Sequence, residues 1–296
     1  VAPFTSLDKT ITSVVDVLLE GRCALASAMA SYKYIIMYGQ VETLLQIICA
    51  YFAITFAEWN WVHMDALWTV SLAFALPLSR AATKLSPTRP TASILGLITV
   101  SSACGILLIN FCFQIGALGY LWNQDWFACR KWDSNDLSNV LVIGDNYETE
   151  VLFLVGGFQY IHSAAAFNFG FEFRRNWFNN YVLVTLVTGF SIIMIYITLV
   201  PGDLSCVYRV NCVNENVRIS VTDDKIPIQN PFNTTIMPDY FQRGLIGLMI
   251  SNAVINSAYE YFVVNGIRRH YAAKKRAARA IKAAEGEVEK APPDLA

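Results

Sequence analysis

Three carboxylates fall where carboxylates are costly. The run from Tyr38 to Asp65 reads YGQVETLLQIICAYFAITFAEWNWVHMD, with Glu42, Glu58 and Asp65 inside it or at its edge. A carboxylate at a bilayer centre costs about 2.5–3.5 kcal/mol on insertion scales, so such acids mark a functional site unless a partner absorbs the charge. On a helix, Tyr38, Glu42 and Gln46 recur every four residues and share one face. Glu58 and Asp65 are seven apart, about two helical turns. An antiparallel hairpin would bring the two stripes together around one cavity. A phenol, an amide and up to three carboxylates suit a cation, to which an aromatic ring adds about 0.5–2 kcal/mol. A compact Ca²⁺ wants about six to eight oxygens at fixed distance. Acids spread along two helices better match an elongated cation with separated ammonium groups. The plainer readings are a solvated Glu58 beside Trp59 and Trp61, and a packing or protonated role for Glu42 and Asp65.

The elements that must carry these residues are membrane helices. The chain has 296 residues, 55% hydrophobic and only 15% charged, with mean hydropathy +0.40. Soluble domains carry about 25% charged residues. Net charge is -1, so no bulk field points to nucleic acid. Apolar runs of the length a bilayer requires predict six spans, at about 34–56, 62–78, 94–122, 151–169, 181–200 and 244–266. The expected fold is therefore all-α, a polytopic bundle of six transmembrane helices. Residues 1–33 read as a cytosolic connection and 267–296 as a basic cytosolic tail, partly disordered.

Loop charge orients the bundle. Ser79–Ser93 carries Arg80, Lys84 and Arg89 without an acid, and Arg174-Arg175 follows the fourth span. Short basic loops stay cytosolic. The acidic loop after Trp122 and the long loop 202–242 then face the other side, and both termini are cytosolic. Cys206 and Cys212 lie close together in that long loop and are a disulfide candidate in an oxidising lumen. Asn233-Thr234-Thr235 is a glycosylation acceptor. Membrane lipid is an expected partner, with the tail cations near anionic headgroups. In the last span Asn252, Asn256 and Glu260 recur every four residues, which suggests interhelical hydrogen bonding.

No catalytic or metal-binding signature is present. GxxxxGK(S/T), DKTGT, HExxH and GxSxG do not occur, and Asp8-Lys9-Thr10 is followed by Ile11 rather than glycine. The chain alone is expected to be catalytically silent, and to be a piece of a longer protein.

Short motifs in fixed order carry a resemblance. VAPFTS at Val1, EGRCAL at Glu20, KYIIMY at Lys33, LSR at Leu78, RPTAS at Arg89, NYE at Asn146, FQY at Phe158 and FRR at Phe173 occur together with the Asn252-to-Glu260 spacing. In this order they resemble type-V P-type ATPases of subgroup B, the endolysosomal polyamine transporters, over nearly the whole chain up to the tail. The resemblance implies the C-terminal membrane half, the fifth to tenth of ten core helices. It implies ATP and Mg²⁺ in the full-length protein, none bound by this piece, and the N-terminal half of the same protein as partner. It implies an endolysosomal or vacuolar membrane and a polyamine substrate moved from lumen to cytosol. By position it puts Tyr38, Glu42 and Asp65 at the substrate, with Glu58 nearer the lumenal end. Glu42 departs from the family pattern, which has glutamine there. A self-contained six-span scaffold or facilitator, and a same-family pump for an inorganic cation, remain the alternatives.

Overall fold

The structure, a computed structural model, describes residues 11–52, 54–127, 146–212 and 236–289. The acceptor at Asn233 and the tripeptide at Asp8 lie outside the described residues.

All the long elements are helices. α1 runs unbroken over Ser13–Phe52, 40 residues, about 60 Å at 1.5 Å per residue. That is twice a bilayer core of about 30 Å, so α1 is far longer than one crossing requires. α2 covers Glu58–Leu78, and its winding changes along its length. An α-turn, Glu58–Trp61, leads into a π segment, Val62–Thr69, then α-helix Val70–Ala75 and a final 3-10 turn at Pro77. α3 is Leu97–Trp122, α4 is Tyr147–Ala166, α5 is Tyr181–Leu199 and α6 is the short Asp203–Val207. α7, Asp239–Ala258, passes through a second π segment, Tyr259–Val264, into α8, Asn265–Glu289.

Among the described residues, four helices are long and apolar enough to cross a membrane: α1, α2, α3 and α5. The other two expected spans, 151–169 and 244–266, coincide with α4 and with α7 and its π continuation. The polarity of α4 has a simple cause. It is the central helix, touching α1, α3, α5 and α7, and every residue but His162 is buried. A helix shielded from lipid on all sides can carry Glu148, Glu150 and Gln159. The glycine pair Gly156-Gly157, which reads in the sequence as an interruption, lies inside the unbroken helix.

Polar ties close both ends of the bundle. At one end the basic loops meet, Ala81 bridging to Arg174 and the Arg175 amide donating to the Arg80 carbonyl at 2.9 Å. Asn180 caps α5 through the Leu183 amide and donates to the Ala75 carbonyl at 2.7 Å, binding α2 to α5. At the other end Asn146 caps α4 by accepting from the Thr149 amide at 2.8 Å. There Cys206 and Cys212 are disulfide-bonded, 1.99 Å between sulfurs. Asn211 beside them donates to the Thr198 carbonyl and accepts from the Met237 amide.

Candidate functional site: a phenol-held carboxylate pair

The two deeper acids are held by phenols. Tyr38 on α1 donates its hydroxyl to Asp65 Oδ1 at 2.8 Å. Tyr160 on α4 donates to Glu42 Oε2 at 3.0 Å, and Gln46 donates to Glu42 Oε1 at 3.0 Å. The Tyr38 and Tyr160 rings are 5.5 Å apart between centroids. Glu42 and Asp65 are both half-buried. Three helices thus converge, with α1 supplying Tyr38, Glu42 and Gln46, α2 supplying Asp65, and α4 supplying Tyr160.

Glu58 stands apart. It opens α2 at an exposed position, and no hydrogen bond joins it to Tyr38, Glu42 or Asp65. Tyr160 enters the site without having been expected there. It was visible in the FQY motif, but helical periodicity shows only which residues share a face, not which helix that face meets.

The π segment positions Asp65. In π winding each amide bonds five residues back, so the turn is wider and carbonyls are displaced; such segments are frequent at functional sites. The Thr69 hydroxyl donates to the Met64 carbonyl at 2.7 Å, five residues back. Trp68 is fully buried and stacks on Phe153, centroids 5.5 Å apart. A Cβ at Gly157 would lie 2.5 Å from the Trp68 ring. Gly157 is therefore the notch that lets the π segment reach α4.

The second π segment repeats the arrangement around a different acid. A Cβ at Gly105 would meet the Tyr259 ring at 2.2 Å, and Tyr259 donates to the Ser101 carbonyl at 2.9 Å. Next to it, Glu260 pairs with Lys33 of α1 at 2.6 Å and accepts from the Ser102 hydroxyl at 2.6 Å. The Lys33 ammonium also lies 4.7 Å over the Phe167 ring. Asn252 and Asn256 both donate to Asn110 Oδ1, at 3.1 and 2.7 Å, and Gln159 joins Asn110 to Gln114. Each such bond is worth about 0.6 kcal/mol in membrane proteins.

The two acid sites differ in one decisive respect. Glu260 already has its cation. Among the described residues, no Lys, Arg or His makes an ion pair with Glu42 or Asp65. Their neutral donors orient the carboxylates and leave the charge uncompensated. In a low-dielectric setting an uncompensated acid either takes a proton or takes a cation from outside. Carboxylates held in this way are chemically fit for binding an ammonium group.

No protein-family model matches the chain. It is 26% identical over 244 residues to the human polyamine-transporting ATPase 13A3, a match covering 74% of this chain and 19% of that protein. It is 27% identical over 207 residues to the human polyamine-transporting ATPase 13A2, covering 69% of this chain and 17% of the relative. With the vacuolar cation-transporting ATPase YPK9 of Saccharomyces cerevisiae it shares 27% over 188 residues, 63% of this chain and 12% of that protein. The matches thus span about a fifth or less of these relatives. An all-helical membrane chain with this extent of similarity to transporting ATPases resembles the type-V P-type ATPases in sequence.

Proposed function

We propose that this chain is the C-terminal membrane part of an ATP-driven cation pump, and that its substrate is an organic polycation of the polyamine type. The observation that carries this reading is the contrast between Glu260, neutralised by Lys33, and the Glu42–Asp65 pair, held only by neutral donors. Two separately anchored acids with aromatic rings between them suit two ammonium groups on one flexible chain. The relatives named for polyamine transport support the same substrate class.

In this reading ATP and Mg²⁺ act in the N-terminal half of the same protein, which is the chain's partner. α1 passes force between that half and the site, since its first half is continuous with the helix that bears Tyr38 and Glu42. The six helices cross an endolysosomal or vacuolar membrane, both termini cytosolic, and the polycation moves from lumen to cytosol. Glu58 sits toward the entry side.

The test is ATPase activity of the full-length protein, stimulated by spermine, with Asp65→Asn beside wild type. Loss of one charge-assisted bond is worth about 1.5–3 kcal/mol, so half-maximal stimulation should need roughly ten- to a hundredfold more spermine. Stimulation that survives the substitution unchanged removes Asp65 from the site. Stimulation by an inorganic cation alone makes the protein an inorganic-cation pump instead.

A further inference from the structure

The disulfide loop, residues 206–212, reaches the segment that carries Asp65. Tyr208 in this loop is 5% exposed, and its ring lies 4.7 Å from His63 and 5.6 Å from Phe153 between centroids. Phe153 stacks in turn on Trp68 at 5.5 Å, and Trp68 lies 6.3 Å from His63. Four rings thus close a circle over three elements: His63 and Trp68 from α2, Phe153 from α4 and Tyr208 from the loop. Aromatic pairs at such separations attract one another beyond the area they bury. His63 and Trp68 are the two ring-bearing residues of the π segment Val62–Thr69, one on either side of Asp65 in the chain. Tyr208 therefore braces one side of the acid directly and the other through Phe153.

Tyr208 is itself held in place. The Cys206–Cys212 disulfide closes the loop around it. Ser205 Oγ donates to the Val200 carbonyl at 2.7 Å, and Asn211 donates to the Ile197 and Thr198 carbonyls at 3.2 and 2.6 Å. Asn211 Oδ1 accepts the Met237 amide at 2.9 Å. The loop is thus bound to the end of α5 and to the residues leading into α7. Arg209 and Asn211 have φ of 53° and 48°, the left-handed region that residues with a Cβ rarely enter. Backbone held there persists where its surroundings over-determine it, and such positions cluster at functional sites. His63 is oriented as well. Its Nδ1 lies 2.8 Å from the Trp59 carbonyl, which can only accept, so Nδ1 carries the proton and the ring is held by its own helix.

We infer that Tyr208 is a positioning residue for the cation site: the disulfide loop clamps the π segment through His63 and Phe153, and the clamp keeps Asp65 aligned with Tyr38. This inference rests on the polyamine reading of that site. The notch at Gly157 supports the segment from α4, and Tyr208 supports it from the loop. Removing the Tyr208 ring breaks the contact between loop and segment, and Asp65 loses its alignment with the Tyr38 hydroxyl that it accepts at 2.8 Å. An intact disulfide is then a condition for tight binding of the cation, although neither cysteine touches it.

The experiment uses the full-length protein and two readouts. One is hydrogen exchange of the Val62–Thr69 amides followed by mass spectrometry, which needs no substrate. The other is spermine-stimulated ATPase activity. Tyr208→Ala, Tyr208→Phe and the double variant Cys206→Ser/Cys212→Ser are run beside wild type. In Tyr208→Ala, exchange over Val62–Thr69 should quicken. Half-maximal stimulation should need about tenfold more spermine, the loss of one bond to a charged group, with the maximal rate kept. Tyr208→Phe keeps the ring and should match wild type in both readouts. The double serine variant should move as Tyr208→Ala does. Because losing a disulfide can also destabilise a fold, Tyr208→Ala, which retains it, decides the matter. A Tyr208 that only supports the fold would lower melting temperature and maximal rate and leave the half-maximal spermine concentration alone, and that result overturns the inference. So does unchanged exchange in Tyr208→Ala. Quicker exchange with an unmoved spermine response overturns it too, and Asp65→Asn then tells the two failures apart. If Asp65→Asn is silent, the polyamine reading has failed; if it is impaired, Tyr208 does not position the acid.

Discussion

Glu42 and Asp65 are held by different donors, so at the proposed site their substitutions should differ. Asp65 is oriented by Tyr38 alone, whereas Glu42 is held by Tyr160 and Gln46 together. Glu42→Gln keeps a hydrogen-bonding group at the site while removing one charge. Spermine stimulation should persist, with preference moving toward cations of fewer ammonium groups. The check is a stimulation profile over di-, tri- and tetra-amines, and an unchanged order of preference would count against Glu42 as a contact. Tyr160→Phe deletes one donor to a carboxylate and leaves the ring in place. Its expected effect is an increase of about tenfold in the spermine needed for half-maximal stimulation, with melting temperature nearly unchanged. A variant that instead melts early with normal stimulation would make Tyr160 a packing residue.

At the scale of elements, each π segment carries an acid and docks an aromatic side chain over a glycine of a neighbouring helix. Trp68 sits on Gly157 and Tyr259 on Gly105. Gly157→Val should therefore push the Val62–Thr69 segment off α4. Overpacking costs about 1–3 kcal/mol, and Asp65 moves with the segment. Both melting temperature and spermine stimulation should drop, while Gly189→Val, where a Cβ meets nothing within 4 Å, should leave both alone. Equal behaviour of the two variants would refute the notch. The Lys33–Glu260 pair makes a sharper test. Removing one partner of a buried pair strands a charge and costs about 3–5 kcal/mol, while removing both is far milder. Lys33→Met should lower the melting temperature strongly, and adding Glu260→Gln should restore much of it. A double variant no better than Lys33→Met would show that charge pairing is not what Lys33 supplies.

For the molecule as a whole, the expectation to check is sidedness. The loop after α2 and the loop after α4 touch through the Ala81–Arg174 bridge, so they lie at the same end of the bundle, and the disulfide loop is tied to the other. Single cysteines at Lys84 and Arg175 should react with an impermeant maleimide from one face of sealed vesicles, and one at Asp203 only from the opposite face. Labelling of all three from one face would break the six-crossing arrangement. Among the described residues, four helices are long and apolar enough to cross on length and composition alone. α4 and α7 are less plain because a helix buried among others need not be apolar, and the polar residues that mask them are the ones that bind their neighbours.

The chain's own order of residues determined a good deal. Apolar run length set where helices form, a period near four put Tyr38 with Glu42 and Asn252 with Glu260, and loop cations separated the two ends. Tertiary structure decided what each buried acid faces. Glu260 and Lys33 are 227 positions apart, and periodicity says which face a residue lies on but not which helix covers it. The π winding around Asp65 was hidden for a related reason, since it depends on Trp68 finding the notch at Gly157 on another helix. Only packing shows that one membrane acid already holds its cation while the other two hold only phenols and an amide.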